Sequence, residues 1–147
     1  MYPFQLYRPS TLREALELYN KHPGSCILAG GTDAMISFRA GKRAEARVID
    51  ILLPELTGIK ETDGAFEIGA CTTLFAIAEF FRTQPQPYCV LQETAESVGA
   101  CQTRHTATIG GNICTGNASA DMATALLVLD AVLTAASVHG SREIPID

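Results

Sequence analysis

Two pairs of adjacent glycines are the residues whose type and spacing could do chemistry in this chain. The first pair sits in Ile27-Leu28-Ala29-Gly30-Gly31-Thr32-Asp33-Ala34. The second sits in Thr108-Ile109-Gly110-Gly111-Asn112, which runs on through Thr115 to Asp121. Each pair follows an apolar, strand-like approach and precedes a periodic run. Glycine carries no Cβ, so such a pair can take positive φ and let main-chain N–H groups converge on an anion or a flat ligand. A diphosphate bridging the two loops would receive several N–H donors. Neither loop is G-x-G-x-x-G, and neither ends in the Gly-Lys-Ser/Thr of a Walker A loop. Asp33 and Asp121 are unsuited to phosphate oxygens. They suit hydroxyls or ring N–H groups further along a dinucleotide, or the starts of helices. A single glycine pair is most often an ordinary tight turn. Two equivalent loops, each with an aspartate downstream, point instead to one shared large ligand.

Other reactive residues add little. Arg104-His105 precedes the second loop, and a lone histidine of this kind is more often a surface or hydrogen-bonded residue than a base. No nucleophile, base and orienting group can be named from spacing. Any redox or group-transfer chemistry therefore has to be carried by a cofactor.

The elements that must hold these loops follow from periodicity. Phe4-Gln5-Leu6-Tyr7 alternates as a strand. Thr11 and Glu14 have capping-box spacing before the stripe Leu12, Ala15, Leu16, Tyr19, and His22-Pro23-Gly24 ends that helix. Cys26 to Ala29 forms a short buried strand delivering the first glycine pair. Met35, Ile36 and Phe38 predict a short helix closed by Gly41, and Arg47 to Ile51 is the next strand, so the order favours a small parallel sheet. Asp63-Gly64 is a hairpin signal between Ile59 to Thr62 and Phe66 to Gly69. Leu74, Ile77, Ala78 and Phe81 form a helical stripe capped by Thr72 or Thr73, and a second helix runs from Tyr88 to about Ser97. Cys101 to Ile109 leads into the second glycine pair. Met122, Ala125, Leu126 and Leu129 mark a helix from Asp121, and a hairpin around His139-Gly140 closes the chain. Pro54 to Gly58 is the expected boundary between an N-terminal lobe, residues 1–55, and a second lobe, residues 56–147.

Composition sets the outer limits. With 147 residues, 47% hydrophobic and 18% charged, the chain is an ordinary globular one rather than a disordered one. A net charge of −5 argues against nucleic acid, whose phosphates demand clustered Lys and Arg. No apolar run approaches the roughly 18 residues of a membrane helix, and Met1-Tyr2-Pro3-Phe4 has no secretory character. Cys26, Cys71, Cys89, Cys101 and Cys114 are odd in number and lack any C-x-x-C pair, so neither disulfides nor a metal or iron–sulfur ligand set is expected. They are expected to be buried free thiols in a reducing, cytoplasmic compartment.

Ala29-Gly30-Gly31-Thr32-Asp33 and Thr108-Ile109-Gly110-Gly111-Asn112, with Arg104 before the latter and Asp121 after it, resemble the two FAD-binding signatures of the molybdenum hydroxylases. The match is to the flavoprotein subunit of bacterial xanthine dehydrogenases and carbon monoxide dehydrogenases. It extends from Tyr7-Arg8-Pro9-Ser10 to Arg142-Glu143-Ile144-Pro145. The resemblance implies an α+β, two-lobe FAD-binding fold of the vanillyl-alcohol oxidase (PCMH) type, with a small parallel βαβ lobe and a larger mixed lobe. It implies that Ala29 to Asp33 line the diphosphate and adenosine part of FAD, with Ile27, Leu28 and Ala34 also in the cofactor-binding set, and that Thr108 to Asn112 meet the diphosphate from the other lobe. Thr115 and Asp121 would contact the ribityl and flavin region, and Gly99 and Ala107 would pack against the cofactor. It also implies an oxidoreductase complex. There a large subunit holds molybdopterin, a small subunit holds two [2Fe–2S] clusters, and FAD passes the electrons to NAD+ or another acceptor. Asn117-Ala118 stands where the family often has Ser-Pro. The family's flavin subunit also continues beyond this length, into the last part of the FAD lobe and a C-terminal domain. Two alternatives stay open: a cofactor-free scaffold domain of such a complex, and another flavoenzyme on the same fold, such as a cell-wall precursor reductase.

Overall fold

The computed structural model describes residues 3–116 and 120–146, so the departure at Asn117-Ala118 lies outside the described residues. The first five elements are β1 (Gln5–Tyr7), α1 (Leu12–Lys21), β2 (Cys26–Leu28), α2 (Ala34–Arg39) and β3 (Arg47–Asp50). The three strands are parallel in the order β1-β3-β2, with Leu6 opposite Val48 and Ile27 opposite Ile49. In the central strand, Val48 and Ile49 point to opposite faces and both are fully buried. Helices on both faces explain this. Ala15 of α1 packs with Ile49 and Leu53 on one side, while Phe38 of α2 packs with Cys26 and Val48 on the other.

Local chemistry starts α1 where the sequence indicates. The Thr11 hydroxyl accepts from the Glu14 N–H at 3.2 Å. The Glu14 carboxylate reaches one residue further back than a capping box requires, accepting from the Ser10 N–H at 2.7 Å and its hydroxyl at 3.0 Å. Those bonds hold its carboxyl below the usual range. Glu55, from the 3₁₀ turn Pro54–Leu56, accepts from the Leu12 N–H and ties that turn to the same helix end.

The rest of the chain builds a second core. A hairpin of β4 (Ile59–Thr62) and β5 (Ala65–Ile68) turns at Asp63 and Gly64, both left-handed with φ +48° and +80°. This is the backbone that the Asp-Gly pair predicts. Then come α3 (Leu74–Phe81), α4 (Cys89–Ser97), α5 (Cys101–Arg104), α6 (Ile109–Cys114) and α7 (Asp121–Val128), and finally the antiparallel hairpin of β6 (Val132–Ser137) and β7 (Gly140–Pro145). Leu74, Ile77, Phe81, Leu91, Met122 and Leu126 form the centre of this core. Thr73 caps α3, accepting from the Ala76 N–H at 3.2 Å. Thr72 is freed for another task. Its buried hydroxyl donates to the Gly58 carbonyl at 3.0 Å and accepts from the Gly58 N–H at 2.9 Å, joining the β4 approach to the start of α3.

Two expectations are corrected. The approach to the second glycine pair is not a strand, because Cys101–Arg104 and Ile109–Cys114 are short helices. Nor are all the cysteines buried. Burial pushes the Cys26 and Cys71 thiols up, whereas Cys89 is half-buried and Cys101 and Cys114 are exposed. Among the described residues, no helix is long and apolar enough to cross a membrane.

Phe81 has no exposed surface and lies edge-on to Phe66 at 5.1 Å and to Phe80 at 5.0 Å. Phe81→Ala is expected to destabilise the chain by about 3–5 kcal/mol in urea unfolding, the cost of an unfilled aromatic cavity. A loss below about 1 kcal/mol would mean that this cluster is not the organising core.

Candidate functional site

The first glycine pair leaves the carboxyl end of β2, the edge of a parallel sheet where ligands of such folds sit. Gly31 is left-handed at φ +72°. A Cβ there would lie 3.2 Å from Leu28 Cδ1 and 3.3 Å from Met35 Cγ. The carbonyls of the turn point into α2, with Gly31 O accepting from Met35 N–H and Asp33 O from Ser37 N–H, both at 3.0 Å. The amides behave differently. Among the described residues, the N–H groups of Gly30, Gly31, Thr32, Asp33 and Ala34 donate to no protein acceptor. A run of unengaged donors at a helix start, next to a left-handed glycine, is the arrangement that accepts an anion.

The second pair differs in each of these respects. Gly110 and Gly111 lie inside α6, and their N–H groups are engaged. Gly110 N–H donates to the Ala70 carbonyl at 2.9 Å and Gly111 N–H to the Thr108 hydroxyl at 3.1 Å. Their neighbours are engaged too, Ile109 N–H with the Thr72 carbonyl at 3.0 Å and Asn112 N–H with the Thr108 carbonyl at 2.9 Å. The expectation that this loop offers exposed amides to an anion is therefore corrected. Its glycines serve close approach: a Cβ on Gly110 would lie 2.7 Å from Ala70 O and 2.9 Å from Ala70 Cβ.

The two glycine-pair segments nonetheless meet. A Cβ on Gly30 would lie 1.8 Å from the Thr106 carbonyl oxygen, 2.7 Å from its carbon and 3.2 Å from Ala107 Cα. Gly30 is thus seated on the backbone that leads straight into Thr108. That backbone is fixed from its other side, since the Ala107 carbonyl accepts from the Leu74 N–H at 2.9 Å and Thr73 pairs with Thr108. Arg104 holds the preceding turn, with Nη1 donating to the Gly99 carbonyl at 2.8 Å and the Val98 carbonyl at 3.2 Å, and Gly99 is left-handed at φ +51°.

The remaining candidates divide between packing and surface. Ala107, Thr108 and Ile109 are buried. Leu28 packs against the Cys26, Phe38 and Val48 cluster, and Ile27 is exposed on the edge strand. Ala29 is half-buried and Asp33 exposed. The Thr115 hydroxyl donates to the Asn112 carbonyl at 2.7 Å, and Asp121 is exposed at the first position of α7. Asn112 Oδ1 accepts from the Met122 N–H at 3.2 Å, joining α6 to α7. His105 stacks on Phe75 at 3.9 Å, with Nδ1 2.9 Å from the Cys101 carbonyl, as a surface residue does. Sequence reasoning missed Thr106, which meets Gly30 through backbone atoms alone, Ala70, which meets Gly110 through its carbonyl and Cβ, and the Gly58-bridging role of Thr72. No side-chain signal marks the first two.

A family model described as FAD binding domain in molybdopterin dehydrogenase matches residues 2–147. The xanthine dehydrogenase FAD-binding subunit of Escherichia coli O157:H7 is 39% identical over 150 residues, covering 100% of this chain and 51% of that protein. The nicotinate dehydrogenase FAD-subunit of Eubacterium barkeri is 34% identical over 148 residues, covering 97% and 49%. The chain thus spans about half the length of these curated relatives. The crystal structure of the Cu,Mo-CO dehydrogenase in its cyanide-inactivated form superposes with a TM-score of 0.92 at 27% identity, over 99% of this chain and 52% of that one.

Gly30→Ala is expected to cost about 2–3 kcal/mol, because a methyl group must displace the Thr106 backbone. Gly24, at φ +82° with open space around it, supplies the comparison: Gly24→Ala should cost about 1–2 kcal/mol, the left-handed strain alone. Equal losses for the two in urea unfolding would remove the packing role assigned to Gly30.

Proposed function

The chain belongs to the FAD-binding domain family of the molybdopterin dehydrogenases, and on that premise we propose that it is the FAD-holding part of an electron-transfer flavoprotein subunit. One observation carries the reading: the unengaged amides from Gly30 to Ala34, held against the Thr106-Ala107 backbone. These donors suit a diphosphate, and the missing Cβ at Gly30 lets the backbone that carries them lie against Thr106. The residues present therefore fit FAD.

In this reading residues 1–55 and 56–147 are two lobes, and the cofactor extends between them. Ile27 to Ala34 hold the diphosphate and adenosine part, with Asp33 accepting from hydroxyl or ring N–H groups. Thr108 to Asn112 form the second wall of the site, with Gly110 packed on Ala70 and Gly111 on the Thr108 hydroxyl, and Asn112 adds a polar amide. Thr115 and Asp121 face the ribityl and flavin end, and Gly99 and Ala107 pack beside it. Bound there, FAD would supply redox chemistry between iron–sulfur clusters and NAD+ or another acceptor. The residues of this chain bind and orient it. A large molybdopterin subunit and a small [2Fe–2S] subunit are the proposed partners, in the cytoplasm, and the carbon substrate is selected on the molybdopterin subunit.

Titrating the purified chain with FAD tests this through quenching of flavin fluorescence. Saturable binding is expected. It should be weakened about tenfold or more by Gly31→Val, because a β-branched residue resists the left-handed backbone. Absence of saturable binding, both here and in a longer chain carrying the same loops, would overturn the reading.

A further inference from the structure

We propose that Asn112 is a positioning residue, whose side-chain oxygen sets the start of α7 and thereby places Asp121 at the FAD site. The proposal rests on the function argued above and concerns how this part of the site is assembled.

Every helix begins with N–H groups that have no partner within it, and a side-chain oxygen just before the first turn ordinarily receives one of them. Helix α6 follows that pattern, since Thr108 precedes it and accepts from the Gly111 N–H at 3.1 Å. Helix α7 cannot. The residue before it is Ala120, which has no side-chain acceptor, and its backbone, at φ −81° and ψ 73°, lies outside the extended region typical of a cap. The Ala123 N–H returns to the Ala120 carbonyl at 2.9 Å. The Met122 N–H instead goes to Asn112 Oδ1 at 3.2 Å, ten residues earlier and on another helix. Asn112 therefore does for α7 what Thr108 does for α6.

The consequence is a fixed relay. Asn112 is itself held in α6 by its N–H bond to the Thr108 carbonyl, and Thr108 pairs with Thr73 at the mouth of α3. Met122 is fully buried and cannot shift without disturbing the core, so the bond at its amide locates the first turn of α7. Asp121 is the residue immediately before it, exposed on that turn. With Oδ1 accepting from the Met122 N–H, the Asn112 amide keeps its two N–H donors and the second lone pair of Oδ1 for other partners. The acceptor role of Oδ1 at the helix is thus separable from the donor role of the amide nitrogen.

That separation supplies the test. Asn112→Leu removes the acceptor while keeping the branched shape of the side chain, and Asn112→Asp keeps an acceptor that the helix start favours. Amide hydrogen exchange at Met122, followed without FAD, should quicken about fivefold in Asn112→Leu and stay at the wild-type rate in Asn112→Asp. In FAD titrations of the same chain, Asp121→Ala should weaken binding in the wild-type chain but by no more than about twofold in the Asn112→Leu background, as residues acting through one another do. Unchanged exchange in Asn112→Leu, or losses that multiply in the double variant, would overturn the proposal. Failure of the wild-type chain to bind FAD would overturn the underlying reading instead, and the exchange arm would still report on the cap.

Discussion

At Gly30 the backbone that leaves the parallel sheet lies so close to the Thr106 carbonyl that a methyl group would sit 1.8 Å from its oxygen. The arrangement of the site depends on that contact. It brings the start of α2 against the segment leading into α6, and both sides arrive already fixed. β2 is paired with β3 along its length, and Ala107 and Thr108 are tied to Thr73 and Leu74. The atoms in the way are backbone, so no side-chain adjustment can make room for a Cβ, and the approach is a steric condition on one residue type.

Once the two segments are joined, hydrogen-bond accounting assigns them different work. Buried or half-buried backbone donors are ordinarily satisfied within the protein. Those of residues 109–112 are, through Thr72, Ala70 and Thr108. Those of residues 30–34 have no protein acceptor among the described residues. The two glycine-pair segments are thus unlike: one has unengaged donors, and in the other the glycines let α6 pack against Ala70. The engaged amides are what lets two glycines, poor helix formers, lie inside α6 at all.

Much of the fold was legible because local rules and tertiary structure agree. Thr11 caps α1, Asp63-Gly64 turns the β4–β5 hairpin, and the stripe Leu74, Ile77, Ala78, Phe81 is buried as its spacing indicates. The strand–helix alternation before Asp50 likewise gives the parallel sheet. The illegible part is where tertiary bonds override local preference. Helix α6 is written Ile-Gly-Gly-Asn-Ile-Cys, a poor helical sequence that holds through Ala70, Thr72 and Thr108. The partner of Gly30 is a carbonyl, and carbonyls carry no residue signature. Asn112 was legible as a polar residue of the loop, but its bond to Met122 spans two helices and has no local period.

Amide hydrogen exchange of the chain with and without FAD tests the central assignment most directly. Protection that appears only with FAD is expected at Gly30 to Ala34, while residues 109–112 should be protected already in its absence. Protection gained on FAD addition at Gly110 and Gly111, with residues 30–34 unchanged, would contradict it.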